Sequence, residues 1–98
     1  MEVDLKLDSR TPPAILYHGT GASAVSLIQE SGLRMMARHH VHLSCDIETA
    51  KRVGARHGRP VVFAVDTMAM LAAGFEFFLS ANGVWLVETV PPQFLTRL

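Results

Sequence analysis

The sequence predicts an α+β fold in which strands dominate and two to three short helices are interspersed. Three observations lead there. Val3, Leu5 and Leu7 alternate with Asp4, Lys6 and Asp8, the period of a strand with one buried face. Residues 60–66 (Pro-Val-Val-Phe-Ala-Val-Asp) form a continuous apolar run, as a strand buried on both faces does. Asn82-Gly83 lies between two apolar runs, and this pair accepts the positive φ angles of tight hairpin turns. A chain of 98 residues that is 49% hydrophobic forms one domain with a core of modest size.

In chain order, Thr11-Pro12-Pro13 ends the opening strand, because proline has no backbone donor for a ladder. Residues 14–18 form a second strand, broken at Gly19 and Gly21. Ala24, Leu27, Ile28 and Ser31 then follow the helical period, with Ser23 as the cap and Gly32 as the stop. Residues 38–44 read as a short, half-buried strand. Ser44 or Asp46 caps a helix that runs to about His57 and stops at Gly58. After the buried strand at 60–66 comes a short helix at 67–73, stopped by Gly74. Residues 75–79 and 84–90 are two further strands, and the tail begins at Pro91-Pro92. No repeat, low-complexity segment or heptad pattern is present, and nothing signals an oligomer.

Net charge is zero, so the field of the whole protein does not steer it toward polyanions. The distribution is less even. Six of the nine Lys and Arg residues and four of the five histidines fall between residues 34 and 59, against only Asp46 and Glu48, which suits a phosphate-bearing ligand. The one cysteine, Cys45, cannot form an internal disulfide, no apolar run is long enough to cross a bilayer, and the acidic, alternating start is unlike a signal peptide. The expectation is a cytoplasmic protein without a membrane partner.

Arg38-His39-His40-Val41-His42-Leu43-Ser44 carries the most chemistry. On a strand, His40 and His42 point one way, and His39, Val41 and Leu43 the other. Upstream, Leu16-Tyr17-His18-Gly19-Thr20 delivers a histidine to a small Gly-Thr step. A ring nitrogen of His18 can bond a ribose hydroxyl, glycine lets a ligand approach the backbone, and Thr20 adds a hydroxyl. Arg38 suits a phosphate because its planar fork makes two charge-assisted hydrogen bonds at once. Taken singly, each has a blander role: His18 as a satisfied structural residue, Arg38 as a surface charge, Ser44 as a helix cap. His39, His40, His42, Cys45 and His57 invite a zinc site, but they lack paired cysteines or a His-x-x-x-His spacing. Phosphate-loop, nucleophile-elbow and Cys-x-x-Cys motifs are absent, which removes the main supports for kinase, serine hydrolase and thiol-redox chemistry.

Several motifs then occur in order. After Leu16-Tyr17-His18-Gly19-Thr20 come Gly32-Leu33, Met35 or Met36, and Arg38-x-His40-Val41-His42-Leu43-Ser44. Val53-Gly54-x-Arg56-His57-Gly58, Phe78-x-Ser80-x-Asn82-Gly83-Val84-Trp85-Leu86 and Val90-Pro91 follow. Over nearly its whole length the chain closely resembles the RNA 2′-phosphotransferase family, in that family's C-terminal ADP-ribosyltransferase-like lobe. The resemblance implies a split β-sheet core, NAD as co-substrate and no metal. It further implies transfer of an internal 2′-phosphate of RNA, such as a spliced tRNA, to NAD. The products are nicotinamide, 2′-hydroxyl RNA and ADP-ribose 1″,2″-cyclic phosphate.

By the same resemblance, Arg38 and His42 are catalytic, with Arg38 on the transferring phosphate. His18, Gly19 and Thr20 hold the NAD ribose region, and His42 with Ser44 forms a second wall. His40, Leu43, Arg56, Ser80 and Val84 complete the cofactor-binding set. Val84 takes the place where many ADP-ribosyltransferases carry a catalytic glutamate. The family also has an N-terminal winged-helix-like lobe that engages RNA, and this chain begins just after where that lobe should end. The expectation is therefore a single NAD-binding lobe over residues 1–98, needing a further lobe for RNA. The alternatives are transfer of ADP-ribose to another phosphate, such as a nucleic-acid terminus, and a module that binds NAD or ADP-ribose without turnover.

Overall fold

The computed structural model of the protein describes residues 9–34 and 40–98; the opening strand expected at 3–7, Arg38 and His39 lie outside them. Among the described residues, three α-helices and eight strands make an α+β fold. Strand β1 (Ile15–Gly21) runs antiparallel to β4 (Pro60–Asp66) along its full length, from Ile15 opposite Asp66 to Gly21 opposite Pro60. It does not break at Gly19, as the sequence suggested. The ladder carries it through Gly19, Thr20 and Gly21, and a helix packs so closely on Gly19 that no side chain fits there.

That helix is α2 (Ile47–Gly54), which starts where the Asp46 carboxylate accepts from the Thr49 amide at 2.7 Å. A Cβ on Gly19 would stand 1.6 Å from the Ala50 carbonyl oxygen, and one on Gly54 2.7 Å from the oxygen of Thr20. Helix and strand therefore meet backbone to backbone. The helix expected to reach His57 tightens after Gly54 into a 3-10 turn, Ala55–His57, and ends at Gly58 with φ 121°, a conformation that favours glycine.

β4 is central, as its unbroken apolar run predicts, because β8 (Leu95–Arg97) pairs along its other edge. A second sheet has the order β3 (Val41–Leu43), β6 (Trp85–Val87), β5 (Phe78–Leu79). The two sheets join where Tyr17 and Ser44 exchange backbone hydrogen bonds of 2.9 and 2.7 Å. A two-stranded pair, β2 (Leu33–Arg34) with β7 (Thr89–Val90), lies apart from both.

α1 (Val25–Ser31) follows a 3-10 turn, Ala22–Ala24, and Ser23 makes no side-chain cap. Gly32, at φ 78°, stops it by bonding back to Ile28. α3 (Thr67–Ala72) starts at Asp66, whose carboxylate accepts from Ala69. The strands expected at 75–79 and 84–90 are shorter. Residues 75–77 are fixed instead by backbone bonds outside any strand, from the Phe75 amide to Met70 and from the Arg10 amide to Phe77. After β6 the chain bends at Glu88 and leaves the sheet to pair with β2.

Leu16, Leu43, Phe63, Val65, Met70, Phe77, Val87 and Val90 fill the interior between the sheets and helices. Each large side chain so buried contributes roughly 1.5–3 kcal/mol. Thr67 is the polar exception at the centre, and its hydroxyl is satisfied by donating to the Pro13 carbonyl.

Candidate functional site

The core fixes β1 and β3 so that their polar side chains open on one side into a cleft of about 860 Å3, within the range of small-molecule sites. His18 stands at its centre. Its Nδ1 lies 3.1 Å from the carbonyl oxygen of His42, and because a carbonyl can only accept, the proton is on Nδ1. Nε2 remains as the acceptor. Burial is the main cause holding the His18 pKa below its ordinary value; the bond to His42 opposes it, and the nearby imidazoles of His42 and His57 add to the lowering. His18 is thus kept neutral and in one tautomer.

Gly19, Thr20 and Gly21 continue the wall beside it, with Thr20 only 8% exposed. His40 and His42 face the same space across the cleft, as strand alternation predicts, with Val41 between them also touching the rim. The His40 ring is held edge-on against Phe78, with centroids 6.1 Å apart. Among the described residues, no group of three or more His, Cys, Asp or Glu side chains is placed to hold a metal ion.

Five residues of the expected set do not line this cleft. Leu43 is core at 1% exposure, and Ser44 is engaged through its backbone with Tyr17. Arg56 is exposed on the 3-10 turn beside His57. Ser80 and Val84 close the loop between β5 and β6, where the Ser80 hydroxyl accepts from the Val84 amide at 3.1 Å and the Ser80 amide donates to the Val84 carbonyl at 2.9 Å. Their location follows from the hairpin.

The cleft also uses residues outside the expected cofactor-binding set. Leu27 and Ile28 of α1 and Val53 of α2 form an apolar wall, Arg34 on β2 supplies a guanidinium, and His57 projects from the turn after α2. Leu27 fits the helical period that marks core positions, yet it is 64% exposed and faces the cleft. The His57-Gly58 pair was the available signal for the other wall, since it sits on the turn that Gly21 allows to approach β1: a Cβ on Gly21 would come within 2.3 Å of the His57 carbonyl oxygen.

The comparisons with known proteins agree on one family. The family described as "RNA 2'-phosphotransferase, Tpt1 / KptA family" matches residues 1–89. The chain is similar to a probable RNA 2'-phosphotransferase of Trichormus variabilis, at 60% identity over 97% of this chain and 52% of the relative. Similar proteins with the same description occur in Nostoc punctiforme, at 58% identity over 100% of this chain and 54% of the relative, and in Streptomyces griseus, at 62% over 95% and 49%. The chain spans about half the length of these curated relatives. No helix among the described residues is long and apolar enough to cross a membrane. With a family match over nearly all of its residues, the chain belongs to the RNA 2'-phosphotransferase, Tpt1/KptA, family.

Proposed function

We propose that this chain is the NAD-binding, ADP-ribosyltransferase-like lobe of an NAD-dependent RNA 2′-phosphotransferase, acting in the cytoplasm on 2′-phosphorylated RNA such as a spliced tRNA. The observation that carries the reading is the meeting of β1 and β3: His18-Gly19-Thr20 and His40-x-His42 wall one cleft. The donor set suits NAD. An imidazole acceptor and a threonine hydroxyl match ribose hydroxyls, cationic groups match a diphosphate, and Leu27, Ile28 and Val53 offer an apolar wall for a base. The volume is adequate for such a ligand. The split arrangement, two sheets joined by the Tyr17–Ser44 backbone pair and by the His18–His42 bond beside it, fits the ADP-ribosyltransferase-like assignment.

In this reading NAD supplies an electrophilic ribose carbon with nicotinamide as the leaving group. The protein needs little acid or base for that step, and its work is positioning and charge stabilisation. His18, held through Nδ1, accepts a hydrogen bond from a ribose hydroxyl at Nε2 and so orients the sugar. His42 lies opposite, and Arg38, two residues before His40 in sequence, holds the RNA 2′-phosphate. RNA binding draws on a further lobe, in keeping with relatives twice as long as this chain.

Chemical-shift mapping with ADP-ribose tests the site. Perturbations are expected at residues 18–21 and 40–42, and their absence at millimolar ligand, or a cluster elsewhere, would reject it. Nicotinamide release from NAD tests the reaction. Release only when 2′-phosphorylated RNA is supplied supports the phosphotransferase, release with other phosphate termini indicates a different acceptor, and binding without release indicates a non-catalytic module.

A further inference from the structure

The charge around the cleft is one-sided. Four imidazoles and one guanidinium line it, and among the described residues no carboxylate does. The imidazoles are not equivalent. His18 is engaged at Nδ1 and kept neutral, and His40 is packed on Phe78. His40 and His42 share the β3 side with each other, and Arg34 lies on β2. On the α2 side, the described lining consists of Val53, which has no charge to offer, and His57. Its turn is pressed against Gly21 at the end of β1, so the backbone and Cβ of His57 are placed beside the strand expected to hold the ribose.

Resting on the reading of this cleft as the NAD site, we propose that His57 is a further ligand-facing residue. In its protonated form it meets the diphosphate of the ligand, so affinity for an ADP-containing ligand rises on acidification while affinity for the uncharged nucleoside does not. Histidine is the side chain whose charge changes near neutrality, and a hydrogen bond from a cation to a phosphate is worth more than a neutral one.

The other charged and titratable groups do not cancel this. β1 brings His18 and Tyr17. α2 brings Lys51 and Arg52 in its last turn, with Glu48 and the capping Asp46 at its far end. Arg56 shares the turn with His57, and Arg59 precedes β4, whose only carboxylate, Asp66, is at the opposite end. Across the cleft are His40, His42 and Arg34. The surroundings are basic and suit an anion.

The test is calorimetric titration of the chain with ADP-ribose and with adenosine at about pH 6 and about pH 8, a range in which neither probe changes charge. ADP-ribose should bind roughly tenfold more tightly at the lower pH, and adenosine equally at both. His57→Gln should reduce the ADP-ribose ratio to about threefold or less. His57→Lys, cationic at both values, should give at pH 8 the affinity that the unaltered chain shows at pH 6. An unchanged ratio in a folded His57→Gln protein, or adenosine following the same pH dependence, overturns the role of His57 while leaving the NAD site in place. Failure of both probes to bind at either pH overturns the site itself.

Discussion

The Nδ1–H of His18 donates to the carbonyl oxygen of His42 across 3.1 Å, linking the first strand of one sheet to the first strand of the other. Two residues that are 24 apart in sequence thereby set each other's position, and the free Nε2 of His18 is the consequence that matters for a ligand. The Tyr17–Ser44 backbone pair, one residue from His18 and two from His42, holds the strands together beside this bond.

A pH dependence of stability follows. Burial is the chief cause that lowers the His18 pKa from 6.5 in the folded state. Above 6.5 both folded and unfolded chains carry it neutral, and it has no effect. As pH falls through 6.5 the unfolded chain takes up a proton that the folded chain resists, so stability declines down to the lowered folded value. Thermal melts from about pH 7.5 to about pH 5.5 should show a steeper loss for the unaltered chain than for His18→Gln. Parallel profiles would mean that His18 is not held neutral.

Gly54 makes a second prediction, because its missing side chain lets α2 rest on β1 at Thr20. In Gly54→Ala the new methyl would lie 2.7 Å from the Thr20 oxygen, and both contact atoms belong to backbone that cannot rotate away. The expected cost is about 1–3 kcal/mol, read as a fall in Tm, with weaker ADP-ribose binding because Thr20 shifts. Gly83→Ala should also cost about 1–2 kcal/mol, from its φ of 83° alone, yet leave ligand affinity intact. Equal affinities for the two variants would separate the α2 contact from the cleft.

These positions show how far the sequence could be read. The continuous apolar run of β4, the Asp46 cap and the positive φ at Gly83 were legible because each is set by neighbouring residues. β8 was not: three residues after a double proline carry no period, and they become a strand only because β4 has a free edge. β2 and β7 are two residues each, below what a pattern can reveal. In the site, alternation along 40–42 sufficed to place His40 and His42. Leu27 and His57 fell outside the expected cofactor-binding set because the cleft forms between elements, and a helical apolar residue has the same signature on a ligand wall as in a core. Arg56 entered the expected set through the family resemblance, and its neighbour His57 lines the cleft.

No metal should be needed. The four described histidines line the walls of an open cleft, with His18 engaged by a backbone carbonyl rather than turned toward a shared centre, which is unlike a closed tetrahedral set. The protein prepared with a chelator should keep its circular dichroism, its Tm and its affinity for ADP-ribose. Stoichiometric zinc by elemental analysis, with unfolding on its removal, would count against this.

Arg38→Lys is the substitution that addresses phosphate transfer most directly. Lysine keeps the positive charge but loses the planar fork that can hold two phosphate oxygens at once, so binding of the charge is retained while its alignment is not. Loss of one charge-assisted bond is worth about 1.5–3 kcal/mol, or roughly ten- to a hundredfold in rate. The measurement requires an enzyme that includes the RNA-binding portion found in the longer relatives. In that setting the variant should convert 2′-phosphorylated RNA slowly or accumulate the ADP-ribosylated RNA, with Tm within a degree or two of the parent. Normal rates for both steps would remove Arg38 from the catalytic set, and a large fall in Tm would show that its role is to hold the fold.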